Sequence, residues 1–281
     1  MVRPGKNCQG LRLKAIAVVG ILLLILLAAC SGFSPDSRLV DVGGYWLNIR
    51  CAGEGVPAVV LEAGLANGNH AWELVEKRVS EFTQVCSYDR AGLGESDAAA
   101  GVPTSQTASD DLHALLSGAG ITGPLIFVGH SYGGLIVQLY AAQHPEDVAG
   151  VILVDSLHPE NLDKAAEILG EQSMAALMLG VRGNPEGVDL VASLDLAEAS
   201  GDLGDIPLTV ITAGRPDMPP FIDREVRDQL AGSWLESQRK LAGLSSAGGH
   251  VFAEESGHCV QCSEPELVAD VIRQMVEAAR R

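Results

Sequence analysis

An α/β architecture built on a largely parallel sheet is predicted by three features of this 281-residue chain. Short apolar runs recur along it, with segments of helical periodicity between them. Two of the runs, Ala58 to Leu61 and Val151 to Val154, are continuous rather than alternating, the pattern of strands covered on both faces. A third run, Leu125 to Val128, leads into Gly129-His130-Ser131-Tyr132-Gly133 and then a helical segment from Leu135, which reads as strand, sharp turn and helix.

At the N-terminus, Arg3, Lys6, Arg12 and Lys14 precede an apolar run from Ala15 to Ala29 interrupted by Gly20, the layout of an export signal. The run ends in Leu27-Ala28-Ala29-Cys30-Ser31-Gly32, which resembles the lipobox of bacterial lipoproteins, where cleavage precedes a lipidated cysteine. That resemblance implies a signal over 1–29, lipidation at Cys30, a tether over 30–37 and a place in the bacterial cell envelope. The alternative is a single uncleaved N-terminal anchor, for which about 15 apolar residues fall short of the roughly 20 a spanning helix needs.

Beyond the tether, Tyr45 to Cys51 alternates apolar and polar residues as a half-exposed strand does. Val85 to Tyr88, Leu208 to Thr212 and Val251 to Ala253 read as further strands. Ala71 to Phe82, Ser105 to Ser117 and Leu135 to His144 carry helical periodicity, and Pro145 ends the third. Ser263-Glu264-Pro265-Glu266 reads as a capping box opening a last helix that presents Leu267, Val268, Val271, Ile272 and Met275 on one face.

Between Asp155 and Pro207 the rhythm breaks, because roughly 50 residues exceed what one crossover helix requires. Helical patches at Leu162 to Leu169 and Met174 to Val181 make 157–206 a helical lid expected to shape a pocket, or a surface excursion with no part in binding. The core is then 38–156 with 207–281. Neither an internal repeat nor a low-complexity linker interrupts it.

The formal net charge of −17 and an aromatic content of 4% exclude a nucleic-acid partner, which needs a basic surface and stacking platforms. Of the six cysteines, Cys8 falls in the signal and Cys30 at the lipid site. Cys51, Cys86, Cys259 and Cys262 remain, an even number that suits an oxidising compartment. The C-x-x-C at Cys259 and Cys262 is a candidate disulfide, and without further ligands nearby it makes a poor zinc site.

Gly129 and Gly133 flank Ser131 at the spacing of a nucleophile elbow, where residues two before and two after a strained serine must be small. A serine hydroxyl is a poor nucleophile at neutral pH, so a general base must take its proton and a third group must hold that base.

Leu61-Glu62-Ala63-Gly64-Leu65, Tyr88-Asp89-Arg90-Ala91-Gly92-Leu93-Gly94-Glu95-Ser96, Gly129-His130-Ser131-Tyr132-Gly133-Gly134, Leu153-Val154-Asp155-Ser156 and Ser256-Gly257-His258, in this order, resemble the α/β-hydrolase fold family. The resemblance runs from about Leu39 to Ala279. It implies a mostly parallel eight-stranded sheet flanked by helices, with the helical lid inserted after the sixth strand. His258 is implied as the base, either Asp155 or Asp217 as the acid, and the main-chain amides of Leu65 and Tyr132 as the oxyanion hole. His130 is expected to support the turn and Arg90 to be structural. The common family pattern has His-Gly where this chain has Ala63-Gly64, which leaves the backbone donor in place. The family's strand order sets Tyr45 to Cys51 antiparallel to and beside Val85 to Tyr88, making Cys51 and Cys86 candidates either to bridge or to remain buried thiols.

These residues together imply an exported serine hydrolase that cleaves a small ester, and less readily an amide, through an acyl-enzyme, with no metal or organic cofactor. Dehalogenases and epoxide hydrolases of this fold carry an aspartate at the elbow, so Ser131 speaks against both. A perhydrolase-type activity and a ligand receptor that keeps the serine without turnover are the alternatives.

Overall fold

The structure, a computed structural model, describes residues 33, 35–215 and 222–281. The export signal, Cys30 and Asp217 lie outside the described residues. The fold is the compact unit Asp36–Arg281. No helix among the described residues is long and apolar enough to cross a membrane.

Eight strands form one sheet: β1 (Asp36–Asp41), β2 (Trp46–Ala52), β3 (Val59–Glu62), β4 (Val85–Tyr88), β5 (Leu125–His130), β6 (Val148–Val154), β7 (Leu208–Ala213) and β8 (Gly248–Ala253), in the spatial order β1-β2-β4-β3-β5-β6-β7-β8. β2 runs antiparallel to both of its neighbours, and the remaining pairs are parallel. The chain steps outward from β3 to β4 and then returns past β3 to β5. Loops leaving β3 and β5 therefore diverge at adjacent carboxyl ends, which opens a crevice where ligands of such sheets bind.

The helices are α1 (Glu73–Val79), α2 (Ser105–Ala119), α3 (Tyr132–Gln143), α4 (Asn161–Arg182), α5 (Leu190–Ser200), α6 (Arg224–Ala242), α7 (Val260–Ser263) and α8 (Pro265–Ala279). The continuous apolar strands split their side chains between two cores, as period-two geometry requires. Val60, Phe127, Val151, Leu153 and Val210 meet α2, α3 and Leu241 of α6 on one face. Val59, Leu61, Ile126, Val128, Ile152 and Ile211 meet α1 and α8 on the other. Each such side chain is worth about 1.5–3 kcal/mol when fully buried, so both faces must be covered for the sheet to persist.

The interval after β6 holds α4, kinked at Gly170 (φ 73°), and α5. Leu190, Leu194 and Ala197 of α5 pack on Tyr132, Leu135 and Ile136 of α3, so this insertion rests on the helix that follows Ser131.

Two local expectations need correction. Ser263 does not cap the last helix: it ends α7, its hydroxyl donates to Cys259 O at 3.1 Å, and Glu264 is the N-cap of α8 without a side-chain cap bond. Pro265 at the first helical position starts α8 with a preset φ and no orphan N–H there. A reciprocal capping box does occur at α2, where Thr107 Oγ1 accepts from Thr104 N at 2.9 Å and Thr104 Oγ1 from Thr107 N at 3.4 Å. Secondly, β1 begins at Asp36, inside the segment read as tether. Its mostly exposed residues carry little hydrophobic signal, and only pairing with β2 makes them a strand.

Cys51 and Cys86 are register partners in β2 and β4 and are joined in a disulfide, as are Cys259 and Cys262 at the start of α7.

Candidate active site

Ser131 sits between β5 and α3 with φ 53° and ψ −119°, a conformation that L-residues rarely adopt. Its backbone is held on both sides: Ser131 N donates to Val154 O at 3.1 Å, and Ser131 O accepts from Gly134 N at 3.0 Å and Leu157 N at 3.2 Å. The flanking glycines are a steric necessity. A Cβ on Gly129 would lie 2.6 Å from Gly133 O, and one on Gly133 would lie 2.5 Å from Ala63 O.

At the end of β6 the chain turns through Asp155 (φ 41°), whose amide donates to Ile211 O at 2.7 Å. The Asp155 carboxylate is buried and meets three donors. Oδ2 lies 2.7 Å from His258 Nδ1, while Oδ1 accepts from Ala213 N at 3.1 Å and from the indole Nε1 of Trp234 at 2.9 Å. A carboxylate taken out of water needs such partners. His258, on the loop after β8, keeps 43% of its side chain exposed against 4% for Asp155. The structure thus pairs His258 with Asp155, the nearer of the two candidate acids in sequence to Ser131.

His130 is buried next to the elbow, its ring 4.7 Å from that of His258. Its Nε2 donates to the His258 carbonyl oxygen at 2.8 Å, and its Nδ1 is buried without a partner. Burial, and secondarily the neighbouring His258, lower its pKa to about 4. It is therefore a neutral strut between the elbow and the His258 loop. His158, on the insertion side, hydrogen-bonds through Nδ1 to Glu160 N at 3.2 Å and does not line the cavity.

Ser131, Asp155 and His258 open into one cavity of about 860 Å³. Its apolar wall comes from Leu157, from Ala231, Gly232, Trp234 and Leu235 of α6, and from Phe252 of β8. Among the described residues, Leu157 alone represents the segment 157–206, so α6 forms the wall that the lid was expected to form. The amides of Leu65 and Tyr132 have no hydrogen-bond acceptor among the described residues. The Leu65 loop runs beside the serine, since a Cβ on Gly64 would lie 3.4 Å from Ser131 Cβ.

Arg90 is buried under this loop. It bonds Glu62, Glu186 and the carbonyl oxygens of Ala63 and Gly64, and it stands 5.4 Å over the Tyr132 ring. Burial alone would lower its pKa, but the Glu62 charge and Glu186 more than offset that and raise it. Burial raises the pKa of Glu62, although Arg90 and the Tyr88 hydroxyl pull the other way.

Trp234 and Glu186 were not singled out by sequence reasoning. Trp234 is the sole aromatic residue in the polar stretch Arg224 to Ala242, a weak sign of a buried contact, and Glu186 in Asn184-Pro185-Glu186-Gly187 has no local sign at all.

A family model described as alpha/beta hydrolase fold matches residues 57–183. The uncharacterized protein YqjL of Bacillus subtilis (strain 168) is 26% identical over 246 residues, 85% of this chain and 90% of YqjL. A thermophilic esterase from Thermogutta terrifontis superposes with a TM-score of 0.64 at 22% identity, covering 89% of this chain and 100% of the esterase. The enol-lactonase from Burkholderia xenovorans LB400 superposes with a TM-score of 0.59 at 18% identity, covering 85% of this chain and all of the lactonase.

Proposed function

We propose that this chain, which has the α/β-hydrolase fold, is a serine hydrolase that cleaves esters of apolar acyl groups through an acyl-enzyme. The observation that carries the reading is the convergence of strained Ser131, His258 and buried Asp155 on one apolar cavity. With Nδ1 bonded to Asp155, the His258 imidazole is in the tautomer that takes the serine proton at Nε2. Ser131 Oγ attacks the acyl carbonyl as its proton passes to His258, and the resulting oxyanion is received by the amides of Leu65 and Tyr132. Collapse expels the alcohol with the proton from His258, and a water activated by the same imidazole then releases the acid. The esterase and the enol-lactonase of the same fold support this reading over a receptor without turnover.

Export and lipidation at Cys30 belong to the same proposal. Two disulfides in the folded part are what an oxidising compartment permits, and they support it. The ester substrate would then be met at a membrane surface.

The test uses the soluble fragment from Ser31. A fluorophosphonate should label Ser131 and abolish hydrolysis of p-nitrophenyl acyl esters, and Ser131→Ala should lose both labelling and turnover. Turnover that survives Ser131→Ala overturns the assignment, and a protein that neither labels nor turns over is the receptor.

A further inference from the structure

The backbone that carries one proposed oxyanion donor is gripped from both sides by a buried ion cluster. Arg90 Nη1 donates to Ala63 O at 2.6 Å and Nη2 to Gly64 O at 2.7 Å. Arg90 Nη1 also meets Glu62 Oε1 at 2.5 Å, while Nε and Nη2 meet Glu186 Oε1 and Oε2 at 2.7 and 2.9 Å. Glu186 Oε2 in turn accepts from Ala66 N at 2.5 Å. Side-chain exposure is 6% for Arg90 and 2% for Glu186, so these bonds form away from bulk water.

The Gly64 carbonyl and the Leu65 amide share one planar trans peptide, in which C=O and N–H point in opposite directions. Fixing the oxygen on Arg90 therefore fixes the direction of the Leu65 N–H. The next amide is fixed from the other side by Glu186, at Ala66, whose φ of 61° is a left-handed conformation that an L-residue rarely adopts. A buried ion cluster adds little to stability that apolar residues of equal volume would not. It does impose direction on the groups it bonds, which an apolar contact cannot.

Glu186 lies between α4 and α5. The insertion thus reaches the loop of the oxyanion hole while contributing almost nothing to the cavity wall. We infer that Arg90 and Glu186 are positioning residues that aim the Leu65 amide, so that the oxyanion hole is complete only with the insertion docked. This inference rests on the reading of Leu65 N as an oxyanion donor in a serine hydrolase.

Arg90→Lys keeps the charge but loses the fork, and Glu186→Gln keeps the volume but can serve only part of the network. Each variant should lower kcat roughly 10- to 100-fold with KM within about twofold, less than the 10²- to 10³-fold loss of a whole oxyanion donor. The decisive readout compares an ester with its thionoester, in which sulfur replaces the carbonyl oxygen and hydrogen-bonds the hole poorly. Wild type should prefer the ester, and that preference should fall at least about fivefold in both variants, a change that partial unfolding would not produce. Unchanged kcat, or a lower kcat with the preference intact, overturns the inference. A wild-type protein that hydrolyses no ester overturns the underlying hydrolase reading and the inference with it, so the two failures are told apart by the wild-type arm. Where Arg90→Lys does not fold, Glu186→Gln carries the comparison alone.

Discussion

Trp234 donates its indole N–H to Asp155 Oδ1 at 2.9 Å, the carboxylate oxygen that His258 does not use. The indole also stands edge-to-face with the imidazole, the ring centroids 5.9 Å apart. One side chain thus touches both members of the pair.

Asp155→Asn is expected to lower kcat by about four orders of magnitude, because the amide favours the wrong imidazole tautomer. Trp234→Phe keeps the ring and loses one of three donors to the carboxylate, so a loss of about tenfold is expected. Asp217→Asn should stay within about threefold of wild type. Steady-state kinetics on one ester decide the matter, and a larger loss from Asp217→Asn than from Asp155→Asn would move the acid to Asp217.

Ser131 and His258 should act as a unit. Ser131→Ala and His258→Ala are each expected to lower kcat by a similar large factor, on the order of 10⁵ to 10⁶, and the double variant little further. Multiplicative losses, measured by the same assay with concentrated enzyme, would show that they do not work on the same step.

His130 makes stability depend on pH. Its pKa is lowered from 6.5 to about 4 by burial, so below pH 6.5 the unfolded chain takes up a proton that the folded chain refuses. Stability therefore falls as pH drops through this window, by up to roughly 3 kcal/mol from this group once pH is below 4. Urea unfolding at pH 7 and pH 4.5 should show a loss about 2–3 kcal/mol smaller in His130→Asn than in wild type. Equal losses would mean that His130 is already charged in the folded protein.

Gly232 lines the cavity from α6. A Cβ there would meet nothing within 4 Å, so a larger side chain enters open space rather than the core. Gly232→Phe is expected to leave the kcat/KM for acetyl esters within about threefold and to lower it for octanoyl esters by 10-fold or more, since each excluded methylene forfeits about 0.8 kcal/mol. A chain-length profile that does not change would take Gly232 out of the acyl site.

Much of this was legible because the governing constraints are local. Gly129 answers a steric demand from Gly133 within five residues, although Gly133 itself makes room for Ala63 O from a distant strand end, and the uninterrupted apolar runs answer burial on both sheet faces. Asp155 and Asp217 were not separable in the sequence, since each follows a strand at suitable spacing; the structure brings Asp155 to His258, and Asp217 lies outside the described residues. The roles of Trp234 and Glu186 were not legible for the same reason on a longer scale: their partners Asp155 and Arg90 lie 79 and 96 residues away. The misread cap at Ser263 shows the converse, a motif correct in letters but displaced because α7 had already claimed that residue.

Because α6 carries both Trp234 and the small residues Ala231 and Gly232, the proposed function would put substrate choice and catalytic power on one rigid rod. Laboratory evolution toward bulkier substrates would meet a conflict if it tilted or displaced this helix, for any outward movement that widens the cavity also withdraws the indole from Asp155. Variants that broaden scope at constant turnover should therefore carry point exchanges on the cavity side of α6, with the backbone of the helix left where it is.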